Sequence, residues 1–280
     1  MSYPIKDRPS FWRDPHLPYV ELRKIDNGQH VSYAAHAHKW WSFGAIAKGR
    51  STYLNGTNLY EVRAGTLVLM NPEQMHQCNP IPGEPWAYYM LYADPQWLAE
   101  LQVDFKLLPA PVWQDFSIDK LEDTKLFDRF IALCETLQHP AADLLLKQSN
   151  LVSYLSDLLP VIRGDTTPQV QVHATAALNI QLAAAYIECH FRDNISLDDL
   201  CNVAQCSTGH LIRSFNKHYG FSPHAFMINK RIQFAQDELK RGVSIAQAAL
   251  NAGFSDQAHF QRTFKKMVAA TPRQYLQQRN

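Results

Sequence analysis

His210-Leu211-Ile212-Arg213-Ser214-Phe215-Asn216-Lys217, running on to Ser222-Pro223, returns 49 positions later as His259-Phe260-Gln261-Arg262-Thr263-Phe264-Lys265-Lys266, running on to Thr271-Pro272. A short unit written twice implies one task performed at two places. In the first copy Leu211, Phe215 and Tyr219 recur at helical spacing, and in the second Phe260, Phe264 and Val268 do so, which marks one stripe of each helix for burial. Gly209, Ile212, Arg213 and Asn216 are then expected on the opposite side of the first helix. Ala258, Gln261, Arg262 and Lys265 take the equivalent places in the second. Arg, Gln, Asn and Lys are the side chains that read base edges or hold phosphates.

Each copy is preceded by a second helix signal. Ser196 to Ala204 opens with Ser-x-x-Asp and Ser244 to Asn251 with Ser-x-x-Gln, two versions of a reciprocal cap that satisfies free amides at a helix start. Gln205-Cys206-Ser207 forms the first turn and Ala252-Gly253-Phe254 the second, with Ser255 or Asp256 capping the helix beyond it. The second turn is one residue longer, and an extra residue that needs a positive φ accounts for its glycine. Between the copies, Ser222 as cap, Pro223 in the first turn and Gly242 after the end frame a long helix from Pro223 to Arg241.

These residues resemble the AraC/XylS-type transcriptional regulators: two helix-turn-helix units, the Gly220-Phe221-Ser222-Pro223 exit, the Gly253-Phe254 turn, and the Phe260-x-Arg-x-Phe-Lys run ending in Thr271-Pro272. The match covers roughly the last hundred residues. It implies that the two units enter successive major grooves on one face of the DNA. Ala269 departs from the pattern, standing where the family usually has the Gly that Gly220 supplies in the first copy.

Charge agrees once it is divided. The net charge of the 280 residues is +1, yet residues 1–163 hold 15 Lys and Arg against 18 Asp and Glu, whereas 207–280 hold 11 against 3. The basic excess sits on the repeat and favours nucleic acid; the acidic first half is not expected to touch DNA. Five scattered cysteines without a Cys-x-x-Cys pair read as reduced thiols. No stretch approaches membrane-spanning length, and the start shows no basic segment followed by an apolar core, so the cytoplasm is the expected address and no membrane partner is expected.

The first half has another grammar. Val20-Glu21-Leu22, Ser42 to Ala47, Gly65 to Met70 and Ala87 to Tyr92 are short β-prone runs separated by Gly, Asn and Pro turns, which points to a barrel or sandwich. His36-Ala37-His38, then Gly65-Thr66-Leu67-Val68-Leu69-Met70-Asn71-Pro72 and His76, resemble the two motifs of the cupin fold, the usual effector-binding domain of that family. His36, His38 and His76 form a plausible nitrogen set for a metal. Metallocupins usually add a Glu four or five positions after the histidine pair, where this chain has Ser42 or Phe43, so no metal or other cofactor is expected. His36, His38, Trp40, Arg50, His76 and Tyr88 are the candidate effector contacts, Arg50 mattering if the effector is an anion.

Leu121 to Gln138 and Ala142 to Ile162 read as two helices broken at His139-Pro140, and the polar stretch 164–173 as a linker. Ala174 to Phe191 follows as a supporting helix with Leu178, Leu182, Ala185 and Cys189 on one side. The expected architecture is α+β and multidomain. It comprises a cupin-like β-barrel over 1–120, a helical hairpin over 121–163, the linker, and an all-α domain with two helix-turn-helix units over 174–280. The hairpin is the expected homodimer contact, as it often is in the family.

The expected function is a non-enzymatic, sequence-specific transcription regulator answering to a small effector in the barrel, with double-stranded promoter DNA and RNA polymerase as partners. A metal-binding cupin enzyme or sensor fused to a DNA-binding domain is the alternative. The expected DNA contacts are Gly209, Ile212, Arg213, Asn216 and Lys217 in the first copy, and Gln257, Ala258, Gln261, Arg262, Lys265 and Lys266 in the second. Lys217 and Lys266 fall on phosphates, and Ile212 on a thymine methyl.

Overall fold

A computed structural model of the chain describes residues 9–29, 37–164, 174–268 and 271–277. Their contacts divide into two compact units. One holds the described residues up to His139 together with those from Tyr154 to the end of the helix in which Tyr154 lies. The other holds Pro140–Ser153 and the described residues from Ala174 onward.

The N-terminal unit is built of two antiparallel sheets. The strands are β1 (Ser10–Trp12), β2 (Val20–Ile25), β3 (Trp41–Lys48), β4 (Arg50–Asn55), β5 (Asn58–Arg63), β6 (Leu67–Met70), β7 (His76–Pro80), β8 (Ala87–Ala93) and β9 (Lys120–Leu121). One sheet runs β1-β2-β8-β3-β6-β9 and the other β5-β4-β7. The two-residue period decides what each strand buries. Ile25, Ile46, Val68, Met70, Trp86, Tyr88 and Met90 meet Tyr53 and Val62 of the smaller sheet in one apolar core. On the other face of the larger sheet Phe43 meets Phe130 edge-on at 4.9 Å and lies 6.0 Å from Tyr154. β3 therefore faces a core on both sides, which is why its run of sequence is apolar almost throughout.

On that second face lies α2 (Thr124–Gln138), capped by Asp123, while α1 (Pro95–Asp104), capped by Asp94, follows β8. The second half of α3 (Leu144–Arg163) completes the layer, with Leu155, Leu158, Leu159 and Ile162 buried. Asp119 accepts hydrogen bonds from Asn55, Asn58 and Tyr60, tying the β4–β5 hairpin to the end of the larger sheet.

The C-terminal unit is helical: α4 (Ala174–His190), α5 (Leu197–Ala204), α6 (Thr208–Tyr219), α7 (Pro223–Lys240), α8 (Ile245–Asn251), α9 (Gln257–Val268) and α10 (Pro272–Gln277). α4 turns the opposite way from the expectation. Ile180, Ala183, Ala184 and Ile187 are buried, whereas Leu178, Leu182, Ala185 and Cys189 are exposed. A helix with alanine or an aliphatic at most positions has no clear polar face, so periodicity alone could not orient it.

The first half of α3 belongs to this unit and is anchored by polar groups. Asp143 caps α3 through the Leu146 amide at 2.8 Å, accepts from His224 Nε2 at 3.2 Å, and lies 4.0 Å from Arg231 Nη1. Arg231 also donates to the carbonyls of Phe191 and Asp193, at 2.6 and 3.0 Å. The Gln148 side chain is buried and accepts the first amide of α5, that of Leu197, at 2.8 Å.

Candidate functional site

Two helix pairs, α5–α6 and α8–α9, stand at the ends of α7. α5 opens with the reciprocal cap read from the sequence: Ser196 accepts from the Asp199 amide at 3.1 Å, and Asp199 accepts from the Ser196 amide at 2.8 Å. α8 keeps only half of it. Ser244 accepts from the Gln247 amide at 3.2 Å, but the Gln247 side chain runs forward to Asn251 at 2.8 Å. Asp256, rather than Ser255, caps α9 through the His259 amide at 2.6 Å. Ser222 caps α7.

The turns differ from the expectation in an instructive way. The first turn also requires a left-handed residue, and Gln205 supplies it at φ 46°. The second uses Gly253 at φ 81°, where a Cβ would stand 2.5 Å from the Arg192 carbonyl oxygen. Close backbone approach, added to positive φ, is what restricts that position to glycine.

The second copy presents the face that was expected. Phe260 and Phe264 are fully buried in a core with Ile232, Ala235, Leu239, Ala248 and Phe254. Gln257, Ala258, Gln261, Arg262, Lys265 and Lys266 are all exposed. This is a surface of three cations with hydrogen-bonding amides between them, suited to phosphates and base edges.

The first copy is less open. Asn216 and Lys217 are exposed and Arg213 half-buried, but Gly209 is buried and Ile212 is only 1 % exposed. Ile212 therefore belongs to the packing and not to a thymine-reading surface. α6 packs against the supporting helix α4 as well as against α5 and α7, and its buried arc is wider than the stripe of Leu211 and Phe215. Ala269, the departure at the exit of the second copy, lies outside the described residues.

Inside the barrel is a narrow hollow that opens to solvent. His38, His76 and Tyr88 line it, together with Arg23, Ser42, Met70, Cys78, Trp86, Met90 and Tyr92. The rings of His38 and His76 meet edge-on, 4.7 Å apart. Each turns Nδ1 to a backbone carbonyl, His38 to Trp40 at 2.9 Å and His76 to Gln74 at 2.8 Å. A carbonyl only accepts, so both rings carry their proton on Nδ1 when neutral. In that tautomer His38 Nε2 accepts a hydrogen bond from Ser42 Oγ at 3.1 Å. Burial pushes the Cys78 thiol up to about 12, so it stays a thiol. His36 lies outside the described residues, so the expected three-histidine set is represented by two.

Two expected contacts stand elsewhere. Arg50 is on the exposed β4–β5 surface, donating to Glu61 at 2.7 Å and through two nitrogens to Glu84, which holds the Glu84 carboxyl below its usual range. Neither it nor Trp40 is among the described residues of the lining. Arg23 was missed by sequence reading. The signal was present, because in Val20-Glu21-Leu22-Arg23-Lys24-Ile25 the period of two puts Arg23 on the face of Ile25, which is in the inner core.

Residues 18–151 match the family described as AraC-like ligand binding domain, and residues 200–278 the family described as helix-turn-helix domain. The chain is 28 % identical over 248 residues to the uncharacterized HTH-type transcriptional regulator YbfI of Bacillus subtilis, covering 88 % of this chain and 87 % of that one. It is 24 % identical over 265 residues to YfiF of the same organism, covering 87 % and 78 %. Among solved structures, apo ToxT of Vibrio cholerae is 15 % identical with a TM-score of 0.39, covering 92 % of this chain and 97 % of that one. An AraC-type regulator of Chromobacterium violaceum is 28 % identical with a TM-score of 0.36, covering 38 % and 96 %.

Proposed function

Because the chain belongs to the AraC-type transcriptional regulators, with an N-terminal ligand-binding domain and a helix-turn-helix domain, we propose how it reads DNA and which residues do so. The two recognition helices α6 and α9 enter successive major grooves, their centres about one helical turn apart. Arg262, Gln261, Gln257 and Lys265 read or hold one half-site, with Ala258 close to the bases and Lys266 on phosphate. Arg213 and Asn216 read the other, with Lys217 on phosphate. The observation that carries this is the exposed cationic face of α9 directly behind the fully buried Phe260 and Phe264.

The chain acts without catalysing a reaction, in the cytoplasm, as a homodimer that engages RNA polymerase at its promoter. The effector works through unequal affinity for two arrangements of the protein, since equal affinity would shift nothing. Footprinting with single variants tests the reading. Arg213→Ala and Arg262→Ala should each cost about 1–3 kcal/mol of operator binding and relax specificity in separate half-sites. If both relax the same base pairs, the two-groove arrangement is wrong.

A further inference from the structure

We propose that Cys201 and Cys206 are a peroxide-sensitive pair, joined by a reversible disulfide that weakens operator binding at the α6 half-site. The effect on DNA rests on the reading of α6 as a recognition helix; the bond itself does not.

α5 ends in a closed turn. The amides of Gln205 and Cys206 both donate to the Cys201 carbonyl, the latter at 3.2 Å, with Gln205 left-handed at φ 46°. Such a closure lays the side chain beyond the turn against the one five positions earlier, and here both are cysteines. It also holds their Cα atoms at the spacing of about 4–7 Å that a disulfide spans. The Gln205 side chain fastens the turn by donating to the Asn202 carbonyl at 2.6 Å. Both cysteines are half-buried thiols, within reach of a small oxidant. The other described cysteines offer no such pair: burial holds Cys78 and Cys134 as thiols, and Cys189 stands on the exposed face of α4.

Hydrogen peroxide supplies the oxidising equivalents. One sulfur attacks a peroxide oxygen, the O–O bond breaks, and a sulfenic acid and one water result. The other sulfur then displaces the hydroxyl, forming the S–S bond and releasing a second water, so two thiols lose two electrons to one peroxide. A thiol reductant reverses it. Cytosolic disulfides are characteristically of this transient, sensing kind.

The consequence for α6 lies in how its first turn is held. Ser196, Ser222 and Ser244 cap their helices through their side chains, but Ser207, at the same position before α6, makes no such bond. Instead Cys201 Sγ of α5 lies 3.6 Å from Thr208 Oγ1 in that turn. Bonding to Cys206 takes the proton from Cys201 and turns its sulfur toward the partner thiol, so this contact is lost. A recognition helix meets base edges near its N-terminal end, where placement by the preceding turn matters most.

The test is titration of the full chain with hydrogen peroxide, followed by trypsin mapping and by operator binding with footprinting. Residues 193–213 contain no internal Lys or Arg and hold both cysteines, so the bond appears as loss of two hydrogen atoms from one peptide. Oxidation should weaken operator binding by about tenfold, the loss expected when one base contact is disturbed. Dithiothreitol should restore it. Cys201→Ser or Cys206→Ser should abolish the response, and either suffices because one sulfur cannot bridge; Cys189→Ser should keep it. Ellipticity at 222 nm checks that each variant folds. A 193–213 peptide that keeps both thiols or gains oxygen, an affinity unchanged by the bond, or a response surviving both serine variants overturns the proposal. The half-site relaxed by Arg213→Ala serves as the separate arm. If the bond forms and binding weakens only at the other half-site, the assignment of α6 falls and the disulfide stands. If Arg213→Ala relaxes its own half-site but peroxide forms no bond, the reverse holds.

Discussion

Removing the Asp143 carboxylate should loosen the C-terminal unit by an amount that can be built from its contacts. Asp143→Ala deletes the cap on α3, worth about 1 kcal/mol. It also removes the acceptor of His224 and the carboxylate nearest Arg231, a guanidinium with 7 % side-chain exposure. Truncating one partner of a buried charged pair costs up to about 3–5 kcal/mol when the other is stranded. Arg231 keeps the Phe191 and Asp193 carbonyls, so the loss belongs at the lower end, and the total should be roughly 2–4 kcal/mol. Asp143→Asn keeps a capping side chain and should cost about half as much. The assay follows from composition. All six tryptophans (12, 40, 41, 86, 97 and 113) lie in the N-terminal unit, so indole fluorescence follows the barrel while ellipticity at 222 nm follows mainly the C-terminal helices. The variant should shift the ellipticity transition in urea and leave the fluorescence transition nearly in place. Burial alone would raise the Asp143 carboxyl, but the hydrogen bond and charge of His224, with the Leu146 amide and Arg231, hold it below its ordinary value. A depressed acid stabilises the fold above its unfolded value of about 3.9, and that contribution is lost as pH falls through the folded value. The acid-sensitive part should therefore vanish in Asp143→Asn. An ellipticity transition unmoved within about 0.5 kcal/mol, or a fluorescence transition shifted equally, would refute this account of the network.

Ile212→Ala should lower the stability of the C-terminal unit by about 2–5 kcal/mol, while Gln261→Ala should change urea stability by less than about 0.5 kcal/mol and weaken operator binding; the opposite pattern would return Ile212 to the DNA face. Gly253→Ala should cost roughly 1–3 kcal/mol of stability, read by the same melt, because it combines a positive φ with a Cβ against the Arg192 carbonyl. Burial, reinforced by Arg262 and His224 and opposed by Asp256 and Asp143, lowers the pKa of His259. Its contribution to stability is complete above the unfolded value of about 6.5 and declines as pH falls below it. Replacing His259 with Gln should flatten the ellipticity-monitored stability between pH 7 and 5.

The repeat was legible because its signals are local: Ser caps at 196, 222 and 244, Pro223 in a first turn, Gly220 and Gly242 past helix ends, and phenylalanines at i and i+4. The barrel was half legible. The most apolar strands, β3, β6 and β8, stood out, whereas β4 and β5 did not, with polar residues and their partners on the neighbouring hairpin arm. The lining of the hollow was the least legible, since Arg50 and Arg23 are both arginines in β-prone surroundings and only Arg23 lies along it.

By itself, then, the sequence determined that two capped helix pairs flank one long helix behind an unrelated β-rich half, because caps, turns and periodicity act over a few residues. Only the tertiary structure decided which faces are covered. Ile212 is buried in the packing of α6 while its counterpart Gln261 stays open; α4 buries Ile180 and Ile187 instead of Leu178 and Leu182; and Arg23, not Arg50, lines the hollow. Burial is a property of what packs against a residue, and those neighbours come from elsewhere in the chain.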